Sequence, residues 1–348
     1  MNSLRIEALG WLKSEACSKG AIQDRTKAVL GFFKEYVKLN KIELEETLDC
    51  SIKDILGVVE QCNVSFGIIL NSYLRGVQYL AVAHAKAFVK DLQTLPLAKD
   101  ARLYKARKSD SYYLYCKEEM YHIPYDMRCK VGNFRFSISG MPCLYLGSSS
   151  YVCWEELGRV AFNSCNFCGY TNNVEVDIYD LTLPDVVKSI SDVKRVCIAL
   201  ACSLSAKRDD LFKEEYIIPQ CLFQALNLRH YYNHKLFGVK YISVHALNGD
   251  ADCFKINLSE PKWVERLYNY VFPAASPEKK GYYEVLRSSF TQTDTTSMFK
   301  ELLLSPEKLI AGDNNDAYLD SQFGLMDAFL DEKMSFKPLR KESTFLTI

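Results

Sequence analysis

Hydrophobic residues recur at helical spacing through the first hundred residues of the chain. In the segment SIKDILGVVEQC, apolar side chains occupy positions 52, 55, 56, 59 and 62, which lie on one face of an α-helix. Ser51 is placed to cap this helix. A second apolar stripe runs without proline from Gly67 to Leu92, and Pro96 then breaks the pattern. Residues 1–97 are therefore predicted to form a helical domain that docks or regulates the rest of the chain without supplying chemistry.

Between residues 98 and 262 the pattern changes to short strands mixed with helices. The segments CLYLG, NVEVDIYDL and FGVKYISV are short, β-branched and aromatic, and NVEVDIYDL alternates apolar and acidic residues. RVCIALACSL and the segment that begins after Pro219 have the composition of helices. This mixture predicts an α+β domain over residues 98–262.

The segment 263–348 gives weaker signals and is assigned to a C-terminal extension that is partly helical. PKWVERLYNYVF is predicted to be helical. The stretch DNNDAYLDSQFGLMDAFLDE carries six acidic and no basic residues, together with several aromatic and leucine side chains. These apolar residues favour packing on the α+β domain over a disordered tail, and a contact with a partner is the alternative.

Charge limits the partners that the protein can bind. The 43 basic and 43 acidic residues cancel, so nothing indicates electrostatic binding of nucleic acid or of an anionic membrane. Residues 99–140 differ, because they carry nine Lys or Arg against five Asp or Glu. Such a local excess suits a small anionic ligand, and a solvated surface is the plain alternative.

The cysteines and the N-terminus indicate a cytoplasmic protein. The 13 cysteines are scattered and odd in number, the N-terminus lacks the order of a signal peptide, and no apolar run reaches the ~18 residues of a membrane span. Free thiols are expected in that compartment. Cys165 and Cys168 form one CxxC pair without a second pair, so no metal site is predicted.

The stretch from 132 to 159 contains three side chains that could bind a ligand or take part in catalysis. Arg135 precedes a Gly-x-Pro turn, and its guanidinium could grip a phosphate with two hydrogen bonds. Tyr145 alternates with Leu144 and Leu146, so on a strand its ring faces the opposite side, where it could stack on a heterocycle. Glu156 follows a serine-rich turn and could stabilise a developing positive charge. Spacing alone favours the plainer interpretation, in which these residues are a surface ion-pair arginine, a core tyrosine and a charge on a helix surface.

The order of these residues resembles the RES family, which is named for an arginine, a glutamate and a serine. The family pattern joins an Arg-aromatic-Asn/Ser segment, a Gly-x-Pro turn, an LYL-like strand, a small-residue turn and a glutamate about eleven residues after the tyrosine. The matching residues are Arg135, Phe136 and Ser137, Gly140 and Pro142, Leu144 to Leu146, Ser148 to Ser150, and Glu156. Glu155 is the second choice for the glutamate.

Three further segments agree with this resemblance, which covers about residues 100–260. LYKAR is similar to the opening strand of the family and brings in Arg107, although Lys105 stands where a second arginine is common. EEMYHIPYDMR looks like the lead-in of one branch of the family. IIPQCLFQAL followed by FGVKYISV is similar to the Pro-Gln helix and Gly-x-x-Tyr-x-Ser strand of that branch, which makes Ser243 the serine.

The resemblance implies an ADP-ribosyltransferase-like mixed sheet and an activity on NAD. NAD would be the substrate, with Arg107 and Arg135 at its pyrophosphate and Tyr145 against the nicotinamide or its ribose. Glu156 would stabilise the oxocarbenium-like state of glycosidic cleavage. Ser243 would hold the nicotinamide or ribose by hydrogen bonds. Catalysis is thereby assigned to Glu156, Arg135 and Ser243.

Characterised members of the family are toxins of toxin–antitoxin pairs that consume NAD, so the leading interpretation is a toxin of this kind. The enzyme would be an NAD glycohydrolase or phosphorylase, depending on whether water or phosphate accepts the ribose. One alternative is an ADP-ribosyltransferase that modifies a protein. The other is a non-catalytic nucleotide-binding module with a partner-docking helical domain. An antitoxin or another protein would be the macromolecular partner.

Overall fold

The computed structural model describes residues 4–90, 92–110, 113–207, 209–231, 235–248, 261–297, 318–319 and 321–339. These residues form an α+β structure in which helices accompany a nine-stranded mixed sheet. The predicted fold class, α+β with a mixed sheet and an N-terminal run of helices, agrees with this arrangement.

Six helices occupy the N-terminal region. They are α1 (Leu4–Leu12), α2 (Glu15–Ser18), α3 (Ile22–Leu39), α4 (Lys41–Leu48), α5 (Ile52–Leu74) and α6 (Gln78–Val89). The predicted cap of α5 is confirmed, since the Ser51 hydroxyl accepts a hydrogen bond from the Asp54 N–H at 3.2 Å. The proline-free apolar stripe from Gly67 to Leu92 does not lie on one continuous helix. Gly76 adopts a φ of +81°, which breaks the stretch into two helices.

Helix α5 corrects the expectation that no segment has the length and polarity of a membrane span. It has 23 residues, and its most apolar 18-residue window has a mean hydropathy of 1.3; among the described residues it is the helix that meets both criteria. A core helix of a soluble protein meets the same criteria. Helix α5 buries Ile55, Val59 and Phe66, and it packs against α3, α6 and α8.

The other helices and the strands alternate along the rest of the described chain. The helices are α7 (Ser150–Glu156), α8 (Ile190–Cys202), α9 (Ile217–His230), α10 (Val244–Asn248), α11 (Pro261–Glu265), α12 (Glu284–Ser289) and α13 (Gln322–Ala328). The strands are β1 (Leu95–Leu97), β2 (Arg102–Lys108), β3 (Cys143–Gly147), β4 (Cys165–Asn172), β5 (Val176–Asp180), β6 (Phe237–Ile242), β7 (Tyr268–Pro273), β8 (Phe290–Gln292) and β9 (Lys337–Pro338).

The strand order in the sheet is β1-β5-β6-β7-β3-β2-β4-β8-β9. Strands β5 and β6 run parallel, and the other neighbouring pairs run antiparallel. The strands predicted in CLYLG, NVEVDIYDL and FGVKYISV are confirmed as β3, β5 and β6. The sheet continues past residue 262, because β7, β8 and β9 belong to it.

The prediction of a helix throughout PKWVERLYNYVF is wrong in its second half. Helix α11 ends at Glu265, and β7 begins at Tyr268 and lies between β6 and β3 in the middle of the sheet. All six residues of β7 are buried, so both of its faces are covered. Such a strand shows no alternation of polar and apolar residues, and its sequence cannot be told from a short buried helix.

The sheet is weakly joined between β2 and β3. These strands share the single residue pair Tyr104–Gly147, whereas β2 pairs with β4 from Arg102 to Lys108 and β3 pairs with β7 along its full length. Strands β2 and β3 therefore separate beyond this pair and leave a cleft between two parts of the sheet.

The N-terminal helices share a core with helices α8 and α9. Helices α3 and α5 pack on α8, and α6 packs on α9. A buried ion pair adds to this contact, since Arg25 of α3 pairs with Glu215, which lies two residues before the start of α9. Arg25 also donates from Nε to the carbonyl oxygen of Cys17 at 2.8 Å and from Nη2 to that of Ser205.

Replacing Arg25 with alanine should destabilise the protein strongly, because it leaves the buried Glu215 carboxylate without its partner. Losing one member of a buried pair typically costs about 3–5 kcal/mol of unfolding free energy. Lys34→Ala is the matched control on the same helix, since Lys34 pairs with Glu60 at the surface, and such pairs contribute about 0–1 kcal/mol. Urea unfolding curves measure both changes, and equal losses would show that the Arg25 contact does not anchor the helix.

Candidate active site

The cleft between β2 and β3 contains a cavity of about 660 Å³. One wall is formed by β2 and the segment that follows it, and the other by β3, β6, β7 and the loop before β3. The cavity brings together four of the five residues named from the sequence, Arg107, Arg135, Tyr145 and Glu156. The fifth, Ser243, lies behind this surface and is fully buried. A volume of this size falls in the range of small-molecule sites.

Helix α7 brings Glu156 to the cavity. The helix begins with Ser149 as its cap, whose hydroxyl accepts a hydrogen bond from the Val152 N–H at 3.1 Å and donates to the Arg266 carbonyl oxygen at 2.7 Å. Glu156 is its last residue. The helix rests directly on β3 at Gly147, where a Cβ atom would lie 2.5 Å from a Val152 methyl group.

The Glu156 carboxylate is held by two donors on one oxygen. Oε1 accepts from the Ser243 hydroxyl at 2.6 Å and from the Asn269 side-chain amide at 2.7 Å. Ser243 thus orients Glu156 in this structure. The described residues give no hydrogen bond to Oε2, so this oxygen is available to a ligand in the cavity. The arrangement suits stabilisation of a positive charge that develops beside Oε2.

Glu155 lies elsewhere. It is 2% exposed, and its two carboxylate oxygens accept from Nε of Arg159 at 3.1 and 3.0 Å. It does not line the cavity. The phase of α7 therefore directs Glu156 into the cleft and Glu155 into the protein.

Arg135 is fixed on the wall formed by the loop before β3. Its Nη1 donates to the carbonyl oxygen of Cys202 at 2.7 Å, and its guanidinium carbon lies 5.0 Å from the centre of the Tyr216 ring. Gln220 of α9 holds the same loop, because its amide donates to the Phe134 carbonyl oxygen at 2.8 Å and also reaches Asn133. These contacts present a permanently charged side chain to the cavity from a rigid support.

Two basic side chains stand on the opposite wall. Arg107 donates to the carbonyl oxygen of Glu119 at 2.5 Å and lies over the Tyr115 ring at 4.1 Å. Lys105 donates to the Tyr121 carbonyl oxygen at 2.9 Å, and burial lowers the pKa of Lys105 to about 8. Basic side chains therefore stand on both walls of the cleft, an arrangement that suits an anion lying between them.

Tyr145 lines the cavity from β3, while Leu144 is buried on the other face of that strand. Its hydroxyl donates to the Phe136 carbonyl oxygen at 2.9 Å, and its ring meets the Phe134 ring edge-on at 5.2 Å. Burial raises the pKa of Tyr145 well above its usual value. The phenol is therefore neutral at neutral pH and offers an aromatic surface.

His122 stands on the β2 wall as a neutral imidazole. Its Nε2 accepts from the Tyr283 N–H at 2.9 Å, and its Nδ1 lies 2.7 Å from the Ile123 carbonyl oxygen, so the proton is assigned to Nδ1. Burial is the main cause that lowers the pKa of His122 to about 4. A neutral histidine with both nitrogens engaged is a structural residue of the wall.

Sequence reasoning missed Asn269, which donates a hydrogen bond to the Glu156 carboxylate beside Ser243. Asn269 lies on β7, in the segment predicted to be helical, so nothing indicated that it would meet Glu156. A polar residue between Tyr268 and Tyr270 in an otherwise apolar strand was the available signal.

Cys165 and Cys168 are on β4, three positions apart, so their side chains point to opposite faces of the strand and cannot share a ligand.

Comparisons with known proteins find a curated relative and a chain of known structure to which this chain is similar. No family model matches it. The protein YopC of Bacillus subtilis (strain 168), described as a candidate toxin, is 29% identical over 260 residues, which are 66% of this chain and 56% of YopC. The chain thus spans about half the length of this curated relative. In the crystal structure of the M. tuberculosis MbcT–MbcA toxin–antitoxin complex, one chain aligns at 12% identity and a TM-score of 0.33, over 63% of this chain and 96% of that chain.

The neutral state of His122 predicts a loss of stability in acid. The unfolded histidine takes up a proton below pH ~6.5, whereas the folded one resists protonation down to a pKa of about 4. The contribution of His122 to the free energy of unfolding is fully present above pH ~6.5. It falls by about 1.4 kcal/mol per pH unit as the pH drops toward 4. His122→Gln keeps an acceptor for the Tyr283 N–H and does not titrate. Its melting temperature should change less over this window than that of the native protein, and parallel curves would contradict the assignment.

Proposed function

We propose that the protein is an NAD-cleaving enzyme that breaks the bond between nicotinamide and ribose in this cleft and acts as a toxin. The observation that carries the proposal is the Glu156 carboxylate, which has one oxygen held by Ser243 and Asn269 and lines a cavity with basic side chains on both walls. A dinucleotide offers matching groups, since it has an anionic pyrophosphate and a positively charged nicotinamide ring. The similarity to a candidate toxin supports the toxin role.

The site residues would act by position and charge. Arg107 and Arg135 would hold the pyrophosphate from opposite walls, and Tyr145 would contact the nicotinamide or its ribose. As the C1′–N bond breaks, its electron pair goes to the ring nitrogen and the ribose becomes oxocarbenium-like. Glu156 would stabilise that positive charge.

No general acid is required for this reaction. Nicotinamide leaves as a neutral molecule because its ring nitrogen is cationic before the bond breaks. This agrees with the cavity wall, where His122 is held neutral by burial and has a pKa of about 4. An oxygen of water or phosphate would then bond to C1′, with water losing a proton to solvent.

The acceptor is tested by incubating the protein with NAD, with and without phosphate, and identifying the products by mass spectrometry. ADP-ribose in both samples indicates hydrolysis, and ADP-ribose phosphate only with phosphate indicates phosphorolysis. ADP-ribose attached to an added protein would show transfer to that protein. Binding of NAD without any product would favour a nucleotide-binding module. As a toxin, the protein would have an antitoxin or another protein as its partner.

Glu156→Gln should slow the release of nicotinamide by about 100-fold or more, since one charge contact made mainly in the transition state is lost. The amide still meets Ser243 and Asn269, so the fold and the affinity for NAD should remain. Nicotinamide release is measured by chromatography and NAD affinity by calorimetry.

Glu155→Gln is the matched control, because the neighbouring carboxylate faces Arg159 and lies outside the cavity. Its turnover should stay within a few-fold of the native rate. A folded Glu156→Gln protein with native turnover would remove Glu156 from the reaction, and a dead Glu155→Gln beside an active Glu156→Gln would reassign the role.

A further inference from the structure

Helix α13 packs against the side of α7 that faces away from the cavity. The Phe323 ring of α13 meets the rings of Tyr151 and Trp154 at centre distances of 5.3 Å each. The carbonyl oxygen of Phe323 accepts from the Ser150 hydroxyl at 3.2 Å. The C-terminal segment thus supports the helix that carries Glu156.

Asp327 of α13 binds the first turn of α7. One carboxylate oxygen accepts from the Ser150 N–H at 3.0 Å, and the other accepts from the Tyr318 hydroxyl at 2.6 Å. The Ser150 N–H is one of the four amides at a helix start that lack a partner within the helix. Asp327 supplies that partner from another part of the chain.

Helix α13 packs closely against the chain segment that precedes it. A Cβ atom on Gly324 would lie 2.2 Å from the carbonyl oxygen of Tyr318, so the backbone approaches too closely for any side chain there. Ser321 caps α13, because its hydroxyl accepts from the Gly324 N–H at 3.2 Å. These contacts fix where the Asp327 carboxylate can lie.

We propose that Asp327 is a positioning residue that holds Glu156 in register with Ser243 and Asn269 through α7. This inference rests on the proposed function of Glu156. Helix α7 has seven residues, about 10 Å at 1.5 Å per residue, so a helix fixed at Ser150 carries its last residue to a fixed place. A misplacement of about 1 Å at a reacting group can cost about 100-fold in rate.

The role requires an acceptor at Asp327 and not a negative charge. Burial raises the pKa of Asp327 to about 7, so the neutral acid is readily populated near pH 7. An asparagine can accept from the Ser150 N–H through its oxygen, and its amide can donate to the Tyr318 hydroxyl, which rotates to accept. Asp327→Asn should therefore preserve the position of α7, whereas Asp327→Ala should not.

Two readouts test the proposal in the full chain, kinetics with NAD and hydrogen exchange of the α7 amides. In Asp327→Ala, we expect kcat to fall by about tenfold or more while KM changes little, because the cavity walls that bind NAD are intact. Exchange at Ser150–Glu156 should become faster. Both readouts should return toward native values in Asp327→Asn.

Asp331→Ala is the control on the same C-terminal segment. Asp331 accepts from the Tyr104 hydroxyl at 2.8 Å and so binds β2 instead of α7. Its loss should lower the melting temperature without speeding exchange in α7. If Asp327→Ala fails to fold, Tyr318→Phe removes the hydroxyl that donates to Asp327 while keeping the ring, and it should change kcat and α7 exchange in the same direction by a smaller amount.

Unchanged exchange and kcat in folded Asp327→Ala would overturn the proposal, as would native values in Tyr318→Phe when Asp327→Ala does not fold. An Asp327→Asn protein as impaired as Asp327→Ala would also overturn it, since charge would then be what matters. Failure of the proposed function looks different, because the native protein would then not cleave NAD while the exchange of α7 still responded to Asp327→Ala.

Discussion

The contact between α7 and β3 at Gly147 is the constraint on which the site depends. A side chain at this position would lie 2.5 Å from Val152 and 2.6 Å from the Cys153 sulfur, so the helix can rest there only on a glycine. From this seat the Cys153 thiol reaches the Tyr104 carbonyl oxygen at 3.2 Å, next to the single pair that joins β2 to β3. Helix α7 therefore sits at the closed end of the cleft, and Glu156 enters the cavity from there.

The local elements were predictable because their signals lie within a few residues of each other. Ser51 and the apolar spacing after it indicated the start of α5, and the short apolar run of CLYLG indicated β3. The stretch from 132 to 159 drew attention to Arg135, Tyr145 and Glu156, and the resemblance gave them roles and added Arg107. These four residues line one cavity. An apolar stripe does not show where a helix is interrupted. Gly76, with its left-handed backbone, ends α5 although the apolar stripe continues on both sides of it.

The remaining parts of the site depend on contacts between distant segments. Asn269 reaches Glu156 across 113 positions, and Asp327 reaches Ser150 across 177. Strand β7 is buried on both faces, so its sequence lacked the alternation that would have indicated a strand beside Glu156. The choice between Glu155 and Glu156 depends on the rotation of α7 about its axis, which the seat at Gly147 and the contacts of α13 set.

Polar groups are distributed differently on the two sides of α7. Behind the helix, Ser149, Ser150, Tyr318 and Asp327 bond one another or the backbone, and burial shifts the Asp327 carboxyl toward its neutral form. In front of it, the charges of Glu156 and of the basic side chains face an open cavity. A neutral, fully bonded support costs little desolvation and does not compete for a cationic or anionic ligand. The field in the cleft then comes from the groups that line it, which is the condition under which a single carboxylate oxygen can stabilise a short-lived cation.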